Sequence, residues 1–179
     1  MAEAAARFAP VFSPLKRPMV AVLIGGDNAV YRLTEARFAA LCGALGKLAQ
    51  AGYGLAITPS RRTSPERLRL LHAKLASIPA FIWDGRGDNP YFAMLGTADA
   101  IVVTADSVSM VSEAASTGKP VYIVELEGGS RKFTQFHAAM RDAGITRPFT
   151  GTIETWRYAP LDDTARAAAE IRRRVSKAA

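Results

Sequence analysis

The chain has 179 residues, enough for one domain with a full core, and its 49% apolar and 22% charged composition is that of an ordinary globular protein. No apolar run reaches the length of a membrane-spanning helix, and the single cysteine, Cys42, excludes a disulfide framework or a cysteine-rich metal cluster. The formal charge of +7 calls for an anionic partner, but the basic stretches 61–74 and 166–177 carry neither an RNA-binding signature nor an aromatic ladder, so nucleic acid is not expected.

Residues 1–18 are Ala-rich, broken by Pro10 and Pro14, and lack the apolar stretch and cleavage site of a signal peptide. They read as a linker or the tail of a preceding helix, and a cytoplasmic setting is expected. From residue 19 onward short apolar runs alternate with amphipathic segments. Met19 to Ile24 is an unbroken apolar run, as in a strand buried on both faces, and Gly25-Gly26 closes it. Thr34 caps a helix reaching Gln50, with Phe38, Leu41, Leu45 and Leu48 on one side and Gly52 as its stop. Leu55 to Thr58 is the next strand. Pro65 starts a helix in which Leu68, Leu71 and Leu75 face inward while Arg67, Arg69 and Lys74 face water.

Phe81 to Trp83 is a third strand, and Pro90 starts a short helix through Ala98. Ala100 to Thr104 is the fourth strand, Ser107 to Thr117 a helix ended by Gly118, and Pro120 to Val124 the fifth strand. Two more helices are expected over Arg131 to Ala143 and Leu161 to Lys177. In the last, Asp162 and Asp163 near the start and Arg172, Arg173, Arg174 and Lys177 near the end match the helix dipole. Strict alternation predicts a doubly wound, Rossmann-like parallel α/β sheet of about five strands with helices on both faces. With strand order 3-2-1-4-5, a ligand belongs in the crevice between the carboxyl ends of strands 1 and 4.

Those ends carry Gly25-Gly26-Asp27-Asn28 and Thr104-Ala105-Asp106-Ser107. The glycines admit close backbone approach by a phosphate, or simply form a tight turn. Asn28 and Tyr31 stand where GxGxxG needs later glycines, which disfavours a dinucleotide dehydrogenase. In Thr104 to Pro120, the helix start offers N–H groups and a positive dipole end for a diphosphate. Asp106, Ser109, Glu113 and Ser116 form a polar stripe opposite Val108, Val111 and Ala115. Glu113 sits where it can accept from ribose hydroxyls, and the same spacing also describes a capped helix with a solvated face. Thr58, Ser60, Arg61 and Arg62 at the end of strand 2 make a phosphate clamp or a solvated loop. The turn holding Asp84 and Asn89 either reads a base or sugar or is a plain turn capped by Asn89. Lys132 and Gln135 lie beyond strand 5. His72 and His137 sit in separate helices, so no metal site is expected, and GxSxG is absent.

Several segments in order, LIGGDNAVYRLTEA, TPSRRT, IWDGRGDNPYFAML, TADSVSMVSEAASTGKPVYIVELEG and KFTQFHAAMRDAG, resemble the mitochondrial-fission ELM (elongated-mitochondria) family. The likeness runs from about Pro18 to the final helix. Bacterial members are often labelled nucleoside-diphosphate-sugar epimerases. The family in turn is similar to the C-terminal, donor-binding half of GT-B glycosyltransferases and to UDP-N-acetylglucosamine 2-epimerases. The resemblance implies a diphosphate on Ser107 and Ser109, ribose on Glu113, and Gly25 and Gly26 facing the phosphates. A nucleotide-sugar is then the implied substrate, with no bound cofactor. Where GT-B enzymes often hold the donor sugar with an Asp-Gln or Gln-Gln pair, this chain has Arg131-Lys132-Phe133. The resemblance also implies a missing N-terminal domain before residues 19–179. The plant members' part in organelle division implies an alternative, a non-enzymatic interaction protein in contact with a membrane surface.

Overall fold

The computed structural model describes residues 1–162. In chain order its elements are α1 (Ala2–Phe12), β1 (Met19–Ile24), β2 (Tyr31–Arg32), α2 (Glu35–Gln50), β3 (Gly54–Pro59), α3 (Pro65–Lys74) and β4 (Ala80–Ile82). They continue with α4 (Tyr91–Thr97), β5 (Ala100–Thr104), α5 (Val108–Ala115), β6 (Val121–Val124), β7 (Glu127–Gly128), α6 (Arg131–Asp142) and β8 (Thr146–Pro148).

Six strands form one parallel sheet in the order β4-β3-β1-β5-β6-β8. The first five reproduce the expected order, and β8 extends the sheet by a strand that the sequence did not announce. Central β1 is flanked by β3 and β5, with Val20 opposite both Leu55 and Ala100. All six of its residues are buried, as are all of β3 and β5. That is why these strands read as continuous apolar runs: both faces are covered by helices. α2 packs beside α3, and α1 beside α4. Parallel crossovers are right-handed, so the reversal of direction between β4 and β5 sends the two helix pairs to opposite faces.

The helix starts obey local chemistry. Oγ1 of Thr34 accepts from the Arg37 N–H, and Oγ of Ser64 from that of Arg67. Ser107 caps α5, which begins one residue later than the expected start. Within residues 1–18, read as a linker or the tail of a preceding helix, α1 packs onto the sheet. Phe8 and Phe12, spaced one turn apart, are buried, and Phe12 meets Phe81 of β4 edge-on at 5.3 Å. Arg17 donates to Asp99 at 3.0 Å, and the same carboxylate accepts the Met19 N–H at 2.7 Å. Of the helix expected over Leu161–Lys177, all but the first two residues lie outside the described residues.

Cys42 lies on the inner side of α2 at 2% exposure, and burial pushes its thiol up to about 11. At pH 8 the thiolate is then roughly one part in a thousand. Cys42 should therefore resist a maleimide or disulfide reagent in the folded protein and react fully in denaturant. Rapid stoichiometric labelling without denaturant, followed by mass spectrometry, would contradict this burial.

Candidate functional site

The carboxyl ends of β1, β3 and β5 come together around one buried carboxylate. Asp106, two residues beyond β5, has a side chain at 0% exposure. Its Oδ2 accepts from the Gly26 N–H at 3.1 Å and from Nη2 of Arg62 at 2.6 Å. Thr104 Oγ1 accepts the Gly25 N–H at 2.8 Å. Thr63 Oγ1 donates to the Gly25 carbonyl at 2.6 Å and lies 3.1 Å from that of Ile24, closing the third side.

This geometry gives the two glycines a reason independent of any ligand. A Cβ on Gly25 would stand 2.2 Å from both Asp106 oxygens, and one on Gly26 would stand 2.1 Å from the Arg62 carbonyl oxygen. Both N–H groups already have acceptors. Asp106 is not part of a solvated stripe, as the spacing suggested: it precedes α5 and points inward. Ser109 and Ser116 are exposed and Glu113 is half-buried. Val108, expected on the apolar side, is 37% exposed, whereas Val111 and Ala115 are buried.

The rest of the β1 loop is bound up in its own folding. Asn28 Oδ1 accepts from the N–H groups of Val30 and Tyr31, and its Nδ2 donates to the Asp106 carbonyl at 3.1 Å. Asp27 accepts from the Leu33 N–H at 2.8 Å and from Arg67 at 3.2 Å. Desolvation would raise the Asp27 carboxyl, but the Leu33 N–H and the Arg67 charge outweigh it and hold it below its ordinary value. Arg67 therefore does not face water as expected. Its side chain is 18% exposed and also donates to the Leu33 carbonyl, because the acidic loop offers it a partner that helix periodicity cannot reveal.

Around this floor the other predicted residues divide. Thr58 is buried within β3, its hydroxyl turned to the Pro59 carbonyl, so it offers no exposed group. Ser60 Oγ accepts the Arg62 N–H at 3.1 Å and shapes the loop, while Arg61 is exposed. Arg62 remains 41% exposed beyond its bond to Asp106, the residue directly before the α5 cap Ser107. Ser107 Oγ accepts from the Met110 N–H, and the N–H groups of Val108 and Ser109 precede the first in-helix acceptor. Asp84 Oδ1 accepts from the Arg86 N–H, and Asn89 Oδ1 accepts the Tyr91 N–H at 3.0 Å, the geometry of a capped turn. Lys132 is exposed in the first turn of α6.

Sequence reasoning did not single out Tyr91 or Thr63, and weighed His137 only as a metal ligand. The Tyr91 hydroxyl donates to Glu113 Oε2. His137 Nε2 lies 2.8 Å from the Ala105 carbonyl, so it carries the proton and donates. Each pairing spans more than twenty residues, and only a hydroxyl or imidazole near a ligand-edge loop hinted at it. A concavity of about 190 Å³ opens one strand further along, lined by Tyr31, Ile123, His137, Arg141 and Arg147.

A family model described as Mitochondrial fission ELM1 matches residues 1–175. The chain belongs to that family. It is 39% identical over 186 residues to Mitochondrial fission protein ELM1 of Arabidopsis thaliana, covering 97% of this chain and 42% of the plant protein. It is 34% identical over 167 residues to the uncharacterized protein RP120 of Rickettsia prowazekii, covering 88% of this chain and 47% of that one. The chain thus spans less than half the length of these relatives. Among solved structures, Escherichia coli ADP-heptose LPS heptosyltransferase II superposes with a TM-score of 0.52 at 16% identity, over 68% of this chain and 37% of the enzyme. The Neisseria meningitidis UDP-GlcNAc 2-epimerase bound to UDP-GlcNAc gives 0.52 at 15% identity, over 82% and 36%. At such identities the likeness is one of fold, and this family member has the Rossmann-like, GT-B-type architecture that its sequence resembles.

The buried carboxylate generates a prediction about stability. Asp106→Ala leaves the buried Gly26 N–H without its acceptor, while the partly exposed Arg62 can turn to water, and should cost about 1–3 kcal/mol. Gly25→Ala forces a methyl into the same carboxylate and should cost at least about 2 kcal/mol. Since the methyl clashes with Asp106, the double variant should be more stable than the sum of the single losses implies. Urea unfolding of all four proteins checks this, and strict additivity would argue against the contact.

Proposed function

We propose that this domain binds a nucleoside diphosphate, most naturally as part of a nucleotide-sugar, and forms the donor-side half of a GT-B-like protein. The carrying observation is the cluster at the start of α5. Free helix N–H groups and a positive dipole end at the start of α5 stand beside a tethered, partly exposed Arg62 from the loop after β3, with Glu113 lying about two turns further along the helix. Charge-assisted bonds from a guanidinium suit phosphate oxygens, and the carboxylate of Glu113 suits a ribose hydroxyl. The heptosyltransferase, named for ADP-heptose, and the epimerase, bound to UDP-GlcNAc, support the same ligand class. Gly25 and Gly26 enter this reading as the rigid floor of the site, since their N–H groups already have acceptors.

A second reading has its own support. Arg131-Lys132-Phe133 replaces the Asp-Gln or Gln-Gln pair expected to hold a donor sugar, and the plant relative is a mitochondrial fission protein by name. On that reading the GT-B-like scaffold serves as an interaction protein in organelle or membrane division.

A thermal-shift screen of ADP, UDP, GDP and CDP separates the two. A ligand at a hundred times its Kd stabilises the native state by about 2.7 kcal/mol, a readily measured shift. Absence of any shift at millimolar concentration would sink the nucleotide reading and leave the interaction reading. With a binder in hand, Glu113→Ala should weaken it about ten- to a hundredfold by calorimetry. Unchanged affinity in a variant that melts normally would remove Glu113 from the site.

A further inference from the structure

The nucleotide reading leaves one contact beside the site without a role. Tyr91 opens α4 directly after the turn that holds Asp84 and Asn89, and its hydroxyl donates to Glu113 Oε2 across the gap between α4 and α5. Both side chains are half-buried. Burial first, and then the hydrogen bond and charge of Glu113, raise the phenol above its ordinary value, so it remains a donor throughout the usual pH range.

A glutamate on a helix surface has several rotatable bonds, and a ligand that fixes it must overcome their entropy. Tyr91 fixes one end of that carboxylate before any ligand arrives. It also engages one of the two oxygens, so a ligand approaching Glu113 finds Oε1 as its acceptor. The ring of Tyr91 is itself steadied, meeting Phe92 edge-on at 5.2 Å, and its N–H is held by Asn89.

We propose that Tyr91 is a positioning residue that sets ribose selectivity, by holding Glu113 so that Oε1 meets a single ribose hydroxyl. This rests on the nucleotide reading above. A plain strut between α4 and α5 would use the same bond, but the two roles differ in what they control. A strut governs stability alone, whereas a positioning residue governs how strongly the protein distinguishes a ribonucleotide from its deoxy counterpart.

The test is calorimetry of wild type, Tyr91→Phe, Glu113→Ala and the double variant, with ADP and UDP and their 2′-deoxy and 3′-deoxy analogues, after recording each melting curve. Tyr91→Phe keeps the ring and removes only the donor. It should weaken the ribonucleotide on the order of fivefold while shifting the analogue that lacks the recognised hydroxyl far less, so the selectivity ratio falls. In the Glu113→Ala background the same change should do nothing further. Should Tyr91→Phe prove too unstable to titrate, a crystal structure of the wild type with the bound nucleotide carries the test: the Tyr91 hydroxyl should stay on one oxygen of Glu113 with a single ribose hydroxyl on the other, and a ribose bonded to both oxygens overturns the positioning role. A lowered melting point with an unchanged selectivity ratio overturns the positioning role and leaves the strut. Failure of wild type to bind any of these nucleotides overturns the nucleotide reading itself, and this inference with it.

Discussion

A carboxylate buried without partners is among the costliest arrangements a protein interior can hold, and Asp106 is buried completely. Its burial is tolerable because one oxygen is shared between the Gly26 N–H and Arg62. That requirement fixes much else. The β1 loop must come close enough to donate, which excludes a side chain at Gly25. The β3 loop must turn back so that Arg62 can reach, and Thr63 locks that turn onto the carbonyls of Ile24 and Gly25. Three loops from three neighbouring strands are thereby welded at the ligand edge of the sheet. Breaking such a pair by removing one partner is costlier than the pair's own net contribution, so the weld is demanding as well as stabilising.

The sheet was largely legible in the sequence because its central strands bury both faces, and a doubly buried strand needs an unbroken apolar run. Met19–Ile24 and Ala100–Thr104 are such runs, and both appeared where expected. The alternation of strands with helices then supplied the order. What escaped lies at the margins. Thr146–Pro148 is a three-residue edge strand containing an arginine and a proline, and nothing in it alternates. Tyr31–Arg32 and Glu127–Gly128 pair over two residues each. For residues 1–18 a helix tail and a linker were both open, because Pro10 blurs the helical pattern, although the one-turn spacing of the buried Phe8 and Phe12 favours the helix Ala2–Phe12.

The location of the candidate site was legible too, since topology alone sends a ligand to the carboxyl ends of β1 and β5. Which polar atoms there already have partners was not. Arg62 and Asp106 are separated by 44 positions, Gly26 and Asp106 by 80. No local pattern encodes such pairs. A sequence reading therefore counts Gly25, Gly26, Asp27 and Asn28 as available groups, while the fold uses most of their donors and acceptors to build itself. Arg67 shows the same limit from the other direction. Its helical spacing marks it for solvent, and a loop acid forty residues away draws it inward.

The distribution of charge around α5 bears on what this surface can accept. Asp106 stands just before a helix N-terminus, where a bare carboxylate would oppose any incoming diphosphate. At about 5 Å with an effective dielectric constant of about 20, one unit charge repels another by roughly 3 kcal/mol, enough to offset the attraction of the helix end. Arg62 cancels that charge from within hydrogen-bond range, and its exposed remainder adds a positive field toward solvent. Further along the helix Glu113 is held by a neutral phenol, so no cation offsets it as Arg62 offsets Asp106. One end of α5 is thus made hospitable to anions while the middle retains an acidic acceptor. An anionic ligand carrying hydroxyl groups at its far end satisfies both, whereas a uniformly anionic partner satisfies only the first.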